Sequence, residues 1–538
     1  MTTQPDLVVI NARIWTGEPS LPYAQALAIK ADTITAVGSN DEIRLIQGKN
    51  TKVLDAAGHL VLPGFIDNHT HLMVGGFQLL SLDLREVKSK EEFIQTITAR
   101  AANTPSGCWI TGGGWNNDQW AQAQTPVKEW IDRFTPHIPV FVSRSDLHIG
   151  FANSAALSLA GINRFTGDPA GGAIERDPYT GEPTGILKDN AIKLVQQCIP
   201  TPTQQQYDKA LAAAMQHAAR LGVTSVQDIT AWSDWNDWET FRRFQQQQQL
   251  TLRIYARTQI TEWKKQLALV DAGFCNDAWL RLGGVKGFVD GSLGSGTALM
   301  FEPYDDAPGT NGLLADQMLP EGIMRERIAA ADKAGLPVSI HAIGDKANHL
   351  LLDIFEAVIK ENGPRDRRFR IEHAQHLLPG DIARLARLGI LASVQPGHVY
   401  EDGCWAKSRI GSRRCQMAYA FRSLLDAGVA VSFGTDWPVV PLNPFLGIYA
   451  AVTRQTQDGR HPAGWVPGQK LSVIESLRAY TSGSAYAEFS ETTKGTLRPG
   501  KLADLILVSQ DILTVQPEDI PKTRVLWTIA GGKIVYQE

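Results

Sequence analysis

The chain has 538 residues, with 52 Lys and Arg against 56 Asp and Glu, so its formal charge is −4. That balance excludes the concentrated basic footprint of a nucleic-acid binder. The five cysteines form an odd, scattered set without a CxxC pair, which excludes a disulfide scaffold and fits a reducing compartment. No apolar run approaches the roughly 18 residues of a membrane span. The first residues, MTTQPDLVVINARIWTG, lack the basic start and apolar core of an export signal. These features predict a soluble, cytoplasmic protein with no nucleic-acid or membrane partner.

In chain order, the first segments are short β-branched runs, LVVINARIWTG, QALAIKADTITAVGS and TKVLDAAGHLVLPG, broken by Gly, Asp and Asn. Two similar runs, GTLRPGKLADLILVSQ and RVLWTIAGGKIVYQE, close the chain. Short alternating strands between turn residues predict a small β-sandwich. Because chain ends often lie together, residues 1–58 and 489–538 are expected to share one composite β-sandwich domain. Between them, residues 59–488 alternate apolar strands with helical stretches such as YDKALAAAMQHAARLG and EGIMRERIAAADKAGL. The eight strand candidates are HLVLPGFID, PVFVSRS, VTSVQDI, RLGGVKGFVD, LPVSIHA, FRIEHAQ, GILASVQP and VAVSFGTD. Eight strand–helix repeats predict an α/β chain folded as a (β/α)8 TIM barrel, with insertions at about 72–138 and 146–222.

A barrel of this kind does its chemistry where the strands end. The first candidate ends in Asp67-Asn68-His69-Thr70-His71. Alternate residues of a strand point the same way, so His69 and His71 can grip one ion from one side. His341, His373 and Asp436 fall at three further strand ends and add imidazole and carboxylate donors suited to zinc or a similar divalent ion. Lys286 lies in an otherwise apolar, glycine-rich strand. A buried ammonium gives up its proton easily, and the neutral amine can take up carbon dioxide. The resulting carbamate is a carboxylate on a long arm, able to bridge two ions. The competing assignment pairs Lys286 with Asp290.

The ordered motifs PGFIDNHTH, VKGFVDGSLGS, IHAIGD, RIEHAQ and GTDWPVVPLNPF resemble those of the amidohydrolase superfamily, and within it the YtcJ-like branch that includes N-substituted formamide deformylases. The resemblance spans essentially the whole chain. It implies a metal-dependent hydrolase acting on an amide-type C–N bond, an N-acyl or N-formyl amine, of a small, partly apolar substrate. It implies metal ligation by His69, His71, Lys286 as a carbamate, His341, His373 and Asp436, with two zinc ions per chain, and homodimerisation as a common arrangement. Water activated by zinc has a pKa of about 7. Asp436 would accept its proton and later donate it to the leaving nitrogen. His148, in SRSDLHIG, or His398, in QPGH, would stabilise the oxyanion.

Asp290 and Ser292, in VDGSLGS, are expected to orient Lys286 or hold substrate, against the competing view of a tight glycine-rich turn. Tryptophans cluster in GGGWNNDQW and AWSDWNDW, with single copies in DGCWAK and TDWP. Trp115 and Trp437 are the candidates for an apolar substrate pocket. One rival is a deaminase or cyclic-amide hydrolase on the same scaffold, for which Asp345 in HAIGD would be the acid. The other is a catalytically silent binding protein, which would be expected to have lost ligands.

Overall fold

The computed structural model describes residues 4–117, 120, 122–144, 149–169, 172–231, 234–273 and 277–538. Two compact units emerge, one formed by residues 1–73 and 214–538 and the other by residues 74–213.

The larger unit contains an eight-stranded parallel sheet that closes as a TIM barrel. Its strands are β1 (Phe65–Thr70), β2 (Val223–Ile229), β3 (Arg253–Gln259), β4 (Leu280–Phe288), β5 (Val338–Ala342), β6 (Arg370–His373), β7 (Leu391–Val394) and β8 (Val431–Phe433). Closure runs through the residues past β8. Asp436 N donates to His69 O at 2.7 Å, and His71 N donates to Trp437 O at 2.8 Å. Gly434 makes this approach possible, because a Cβ there would lie 2.3 Å from Asn68 Oδ1 and 2.6 Å from His69 N.

One of the sequence-based strands needs correction, and one barrel strand was not among them. PVFVSRS does form a strand, Val140–Arg144, but in the sheet of the smaller unit. In its place stands β3, RIYARTQ, whose seven residues are all buried. Two arginines and a glutamine disguised it, and burial is tolerable because the charges are paired: Arg253 with Asp504 and Arg257 with Glu372. One insertion, between β1 and β2, therefore replaces the two expected.

The ends of the chain build two further sheets. One has four strands, Thr33–Gly38, Ala26–Lys30, Leu7–Ile10 and Lys52–Asp55. The other has six and draws on both ends: Leu60–Pro63 pairs parallel with Arg13–Trp15 and antiparallel with Leu505–Val508. Val9, Ile14, Leu27, Ile29, Val61, Leu505, Leu507 and Ile529 pack into one core, so apolar burial joins the two ends. HLVLPGFID thus serves two sheets, with Gly64 at the crossing, where a Cβ would fall 2.5 Å from Thr224 Cγ2. The Arg253 guanidinium is clamped by both Asp504 oxygens at 2.7 and 2.9 Å, tying β3 to the C-terminal segment.

The smaller unit has its own six-stranded mixed sheet, in the order Gly172–Arg176, Pro183–Asp189, Ile149–Ala152, Val140–Arg144, Ile110–Trp115 and Leu82–Asp83. Helix Lys90–Ala101 starts at Ser89, whose side chain accepts from Glu92 N, and buries Phe93, Ile97 and Ala101 at a four-residue spacing. Phe93 meets Trp115, Trp120 and Phe151 at ring distances of 5.5 to 6.1 Å. Among the described residues, no helix is long and apolar enough to cross a membrane.

Candidate metal centre

The C-terminal ends of β1, β4, β5, β6 and β8 converge on a cluster of imidazoles around one carboxylate. His69 Nε2 and His71 Nε2 stand 3.4 and 3.2 Å from Asp436 Oδ1, and His398 Nε2 is 3.6 Å from Asp436 Oδ2. Two donor sets share Asp436: His69 with His71, and His373 with His398, the ligand atoms of each set lying within 4.8 Å of one another. Lys286 Nζ is 3.5 Å from His69 Nε2 and 4.7 Å from the centre of the Phe288 ring. The His373 ring lies 4.8 Å from that of His69 and 4.5 Å from that of His341.

Two backbone turns help present these side chains. His373 has φ 74° and Asp436 φ 64°, a region that side-chain-bearing residues seldom adopt. On β6 the inward positions alternate as Arg370 and Glu372, so a simple strand would turn His373 away. The turn at His373 instead brings two successive residues, Glu372 and His373, to the same centre.

Burial decides the protonation of the cluster. It holds the His69 imidazole down at about 3, helped by the charge of Lys286. Burial beside His341 and His69 likewise keeps His373 well below the ordinary range. Both rings are neutral at physiological pH and offer a lone pair to a cation. Burial also lowers the Lys286 ammonium to about 7, with Glu372 and Asp436 opposing and Arg257 and Arg370 assisting. Burial would raise Asp436, but His69 and the contacts of His398 and His71 outweigh it and keep the carboxyl ionised. Asp436 Oδ1 and His398 Nε2 are buried without a hydrogen bond. Neutral imidazoles, an ionised carboxylate and an unsatisfied oxygen at their centre are what a divalent cation requires, so the donor set fits one.

A family model described as Amidohydrolase family matches residues 52–536. The chain belongs to the amidohydrolase family. It is 41% identical over 543 residues to Protein LONG AFTER FAR-RED 3 of Arabidopsis thaliana, covering 99% of this chain and 91% of the relative. It is 32% identical to Putative amidohydrolase YtcJ of Bacillus subtilis, covering 96% of each, and 29% identical to N-substituted formamide deformylase of Arthrobacter pascens, covering 100% and 99%. Among solved structures it resembles a metal-dependent hydrolase from Pyrococcus furiosus, with TM-score 0.77, 29% identity, and 94% and 100% of the two chains covered. This amidohydrolase is accordingly an enzyme, a metal-dependent hydrolase of C–N bonds other than peptide bonds.

The remaining candidates of this amidohydrolase divide. His341 stands beside His373, but its Nε2 lies 3.0 Å from Gly291 O and 3.4 Å from Asp290 Oδ1, outside the two donor sets. Asp290 makes no ion pair with Lys286. Its carboxylate accepts from the backbone N–H groups of Leu299, Ile343 and Gly344 at 2.8 to 3.0 Å and so pins the loop after β4 to the end of β5. Ser292 is exposed on that loop, 2.8 Å from Ser295 Oγ. Trp437 stacks on His217 at 5.5 Å, while its carbonyl holds the backbone of His71. Trp115 requires correction: it is fully buried in the aromatic core of the smaller unit, its indole N–H directed at Val142 O, which leaves no ring face for a substrate. His148 lies outside the described residues. Asp345 is spent at a helix start, accepting from Phe301 N at 2.9 Å.

Sequence reasoning passed over Glu372, which is fully buried and 2.6 Å from His69 Nδ1, and Gln395, 2.8 Å from His373 Nδ1. The signal for the first was present as Arg370-x-Glu372, an i, i+2 charge pair on an apolar strand that ends in a candidate ligand.

Proposed function

We propose that this amidohydrolase cleaves the amide-type C–N bond of an N-acyl or N-formyl amine, a small and partly apolar molecule. The observation that carries the reading is the convergence of His69, His71 and His373 on the ionised Asp436, with Lys286 at its edge. The N-substituted formamide deformylase relative supports the bond type. His69, His71, Lys286 as a carbamate, His341, His373 and Asp436 are assigned to hold two zinc ions; for His341 this requires its ring to leave the Gly291 carbonyl. Divalent ions bound there supply Lewis acidity and acidify water.

The chain's own groups do the rest. Asp436, ionised among three imidazoles, takes a proton from the attacking water at one carboxylate oxygen and passes it to the leaving nitrogen. His398 is raised above the ordinary imidazole range: burial works against its charge, but Asp436 and Asp402 outweigh burial. It is therefore suited to donate to the developing oxyanion. Ser292, exposed on the loop after β4, and Trp437, beside Asp436, are assigned the substrate contacts. A screen of N-formyl and N-acyl amines tests the reading. The expected result is metal-dependent release of free amine that a chelator abolishes and zinc restores. Equal release before and after metal removal would overturn it.

A further inference from the structure

Beneath the cluster lies a charged layer that the hydrolytic scheme does not use. Glu372 of β6 is fully buried, and its Oε2 is 2.6 Å from His69 Nδ1 and accepts from Ser393 Oγ at 2.5 Å. Its Oε1 takes the Arg257 guanidinium from β3 and Arg370 Nε from its own strand, the latter at 2.7 Å. The same two arginines reach the backbone next to His69. Arg257 Nη2 donates to Asn68 O at 3.1 Å and to Gln227 O at 3.0 Å, and Arg370 Nη2 also donates to Asn68 O. One carboxylate thus faces two guanidiniums, all within the barrel wall.

Such a layer is a poor way to stabilise a barrel. Interior layers are ordinarily filled by branched apolar side chains, and replacing buried ion clusters by apolar groups is often neutral or stabilising. What the layer does is orient one ring. A carboxylate accepting at Nδ1 requires the proton there, and Nε2 then presents its lone pair toward Asp436 and Lys286 at 3.4 and 3.5 Å. The arginines fix the carboxylate and the β1 backbone together, so neither the ring nor its attachment can drift. His373 is served differently, by the neutral acceptor Gln395.

We infer that Glu372, held by Arg257, Arg370 and Ser393, is a positioning residue that sets the tautomer and direction of His69 for a bound cation. This rests on the metal-centre reading above. The test is zinc titration of the metal-stripped full chain, followed by competition with a chelator, alongside the melting temperature of the metal-free protein. Glu372→Gln keeps the shape and should weaken zinc binding by about 10- to 100-fold. Glu372→Gln with Arg257→Gln restores the net charge of the layer, so it keeps the fold testable if the single variant melts early. Its zinc affinity should remain reduced while its metal-free melting temperature returns toward that of the unmodified chain. Unmodified zinc affinity in either variant would overturn the inference and leave the metal centre standing. Failure of the unmodified chain itself to take up zinc or another divalent ion would overturn the metal-centre reading, and the inference with it.

Discussion

Replacing Asp436 by Asn isolates the group on which the proposed chemistry turns. The substitution preserves size but removes the negative charge that faces His69, His71 and His398 at 3.2 to 3.6 Å. An amide cannot take up a proton at these pH values, so the general-base contribution of about 10²- to 10⁴-fold is lost. At 1.36 kcal/mol per decade this is roughly 3 to 5 kcal/mol of barrel-face barrier lowering. The imidazoles of both donor sets remain, so metal content should persist in part. The assay is kcat for the best amine-releasing substrate of the screen, measured with zinc in excess and with metal per chain determined on the same sample. A fall of two to four decades with zinc still bound is expected. Turnover within a factor of three of the unmodified enzyme would refute the proton-transfer role of Asp436.

Lys286→Gln removes the amine assigned to the carbamate; metal per chain should drop to one ion or none, and intact mass at alkaline pH should lack the added carbon dioxide expected of the unmodified chain. Asp504→Asn breaks the buried pair with Arg253 and leaves a guanidinium uncompensated, for a cost of about 3 to 5 kcal/mol by chemical denaturation; a change below 1 kcal/mol would contradict the burial argument. Asp237 gives a pH dependence. Burial, reinforced by Asp228, raises its carboxyl from 3.8 to about 7. Because the folded value is above the unfolded one, its contribution is fully present below about pH 4 and is lost as pH rises to about 7, by up to about 4 kcal/mol. The stability advantage of the unmodified chain over Asp237→Asn should therefore shrink across that window, and parallel pH profiles would refute the assignment.

Much of this architecture is written in the sequence because it rests on local signals. Alternation and turn residues marked the terminal strands, and His69, His71, His373 and Asp436, which the fold gathers into one cluster, stood out by residue type at strand ends. Burial of the Lys286 amine also followed from its apolar neighbours, since those neighbours are the low-dielectric medium that lowers it.

Tertiary structure decided what depends on partners distant in the chain. PVFVSRS and RIYARTQ are both strands, and only pairing shows that the first belongs to the smaller unit and the second to the barrel. Trp115 reads like a pocket residue until Phe93, Trp120 and Phe151 enclose it. Asp290 reads like a partner for Lys286 until three backbone N–H groups claim it. Glu372 and His69, 303 positions apart, become one unit only when the barrel closes. Residue type and spacing state which groups can bind a cation. Closure of the sheet states which are already hydrogen-bonded elsewhere and which remain free to do so, because a buried polar group takes the nearest partner the fold supplies.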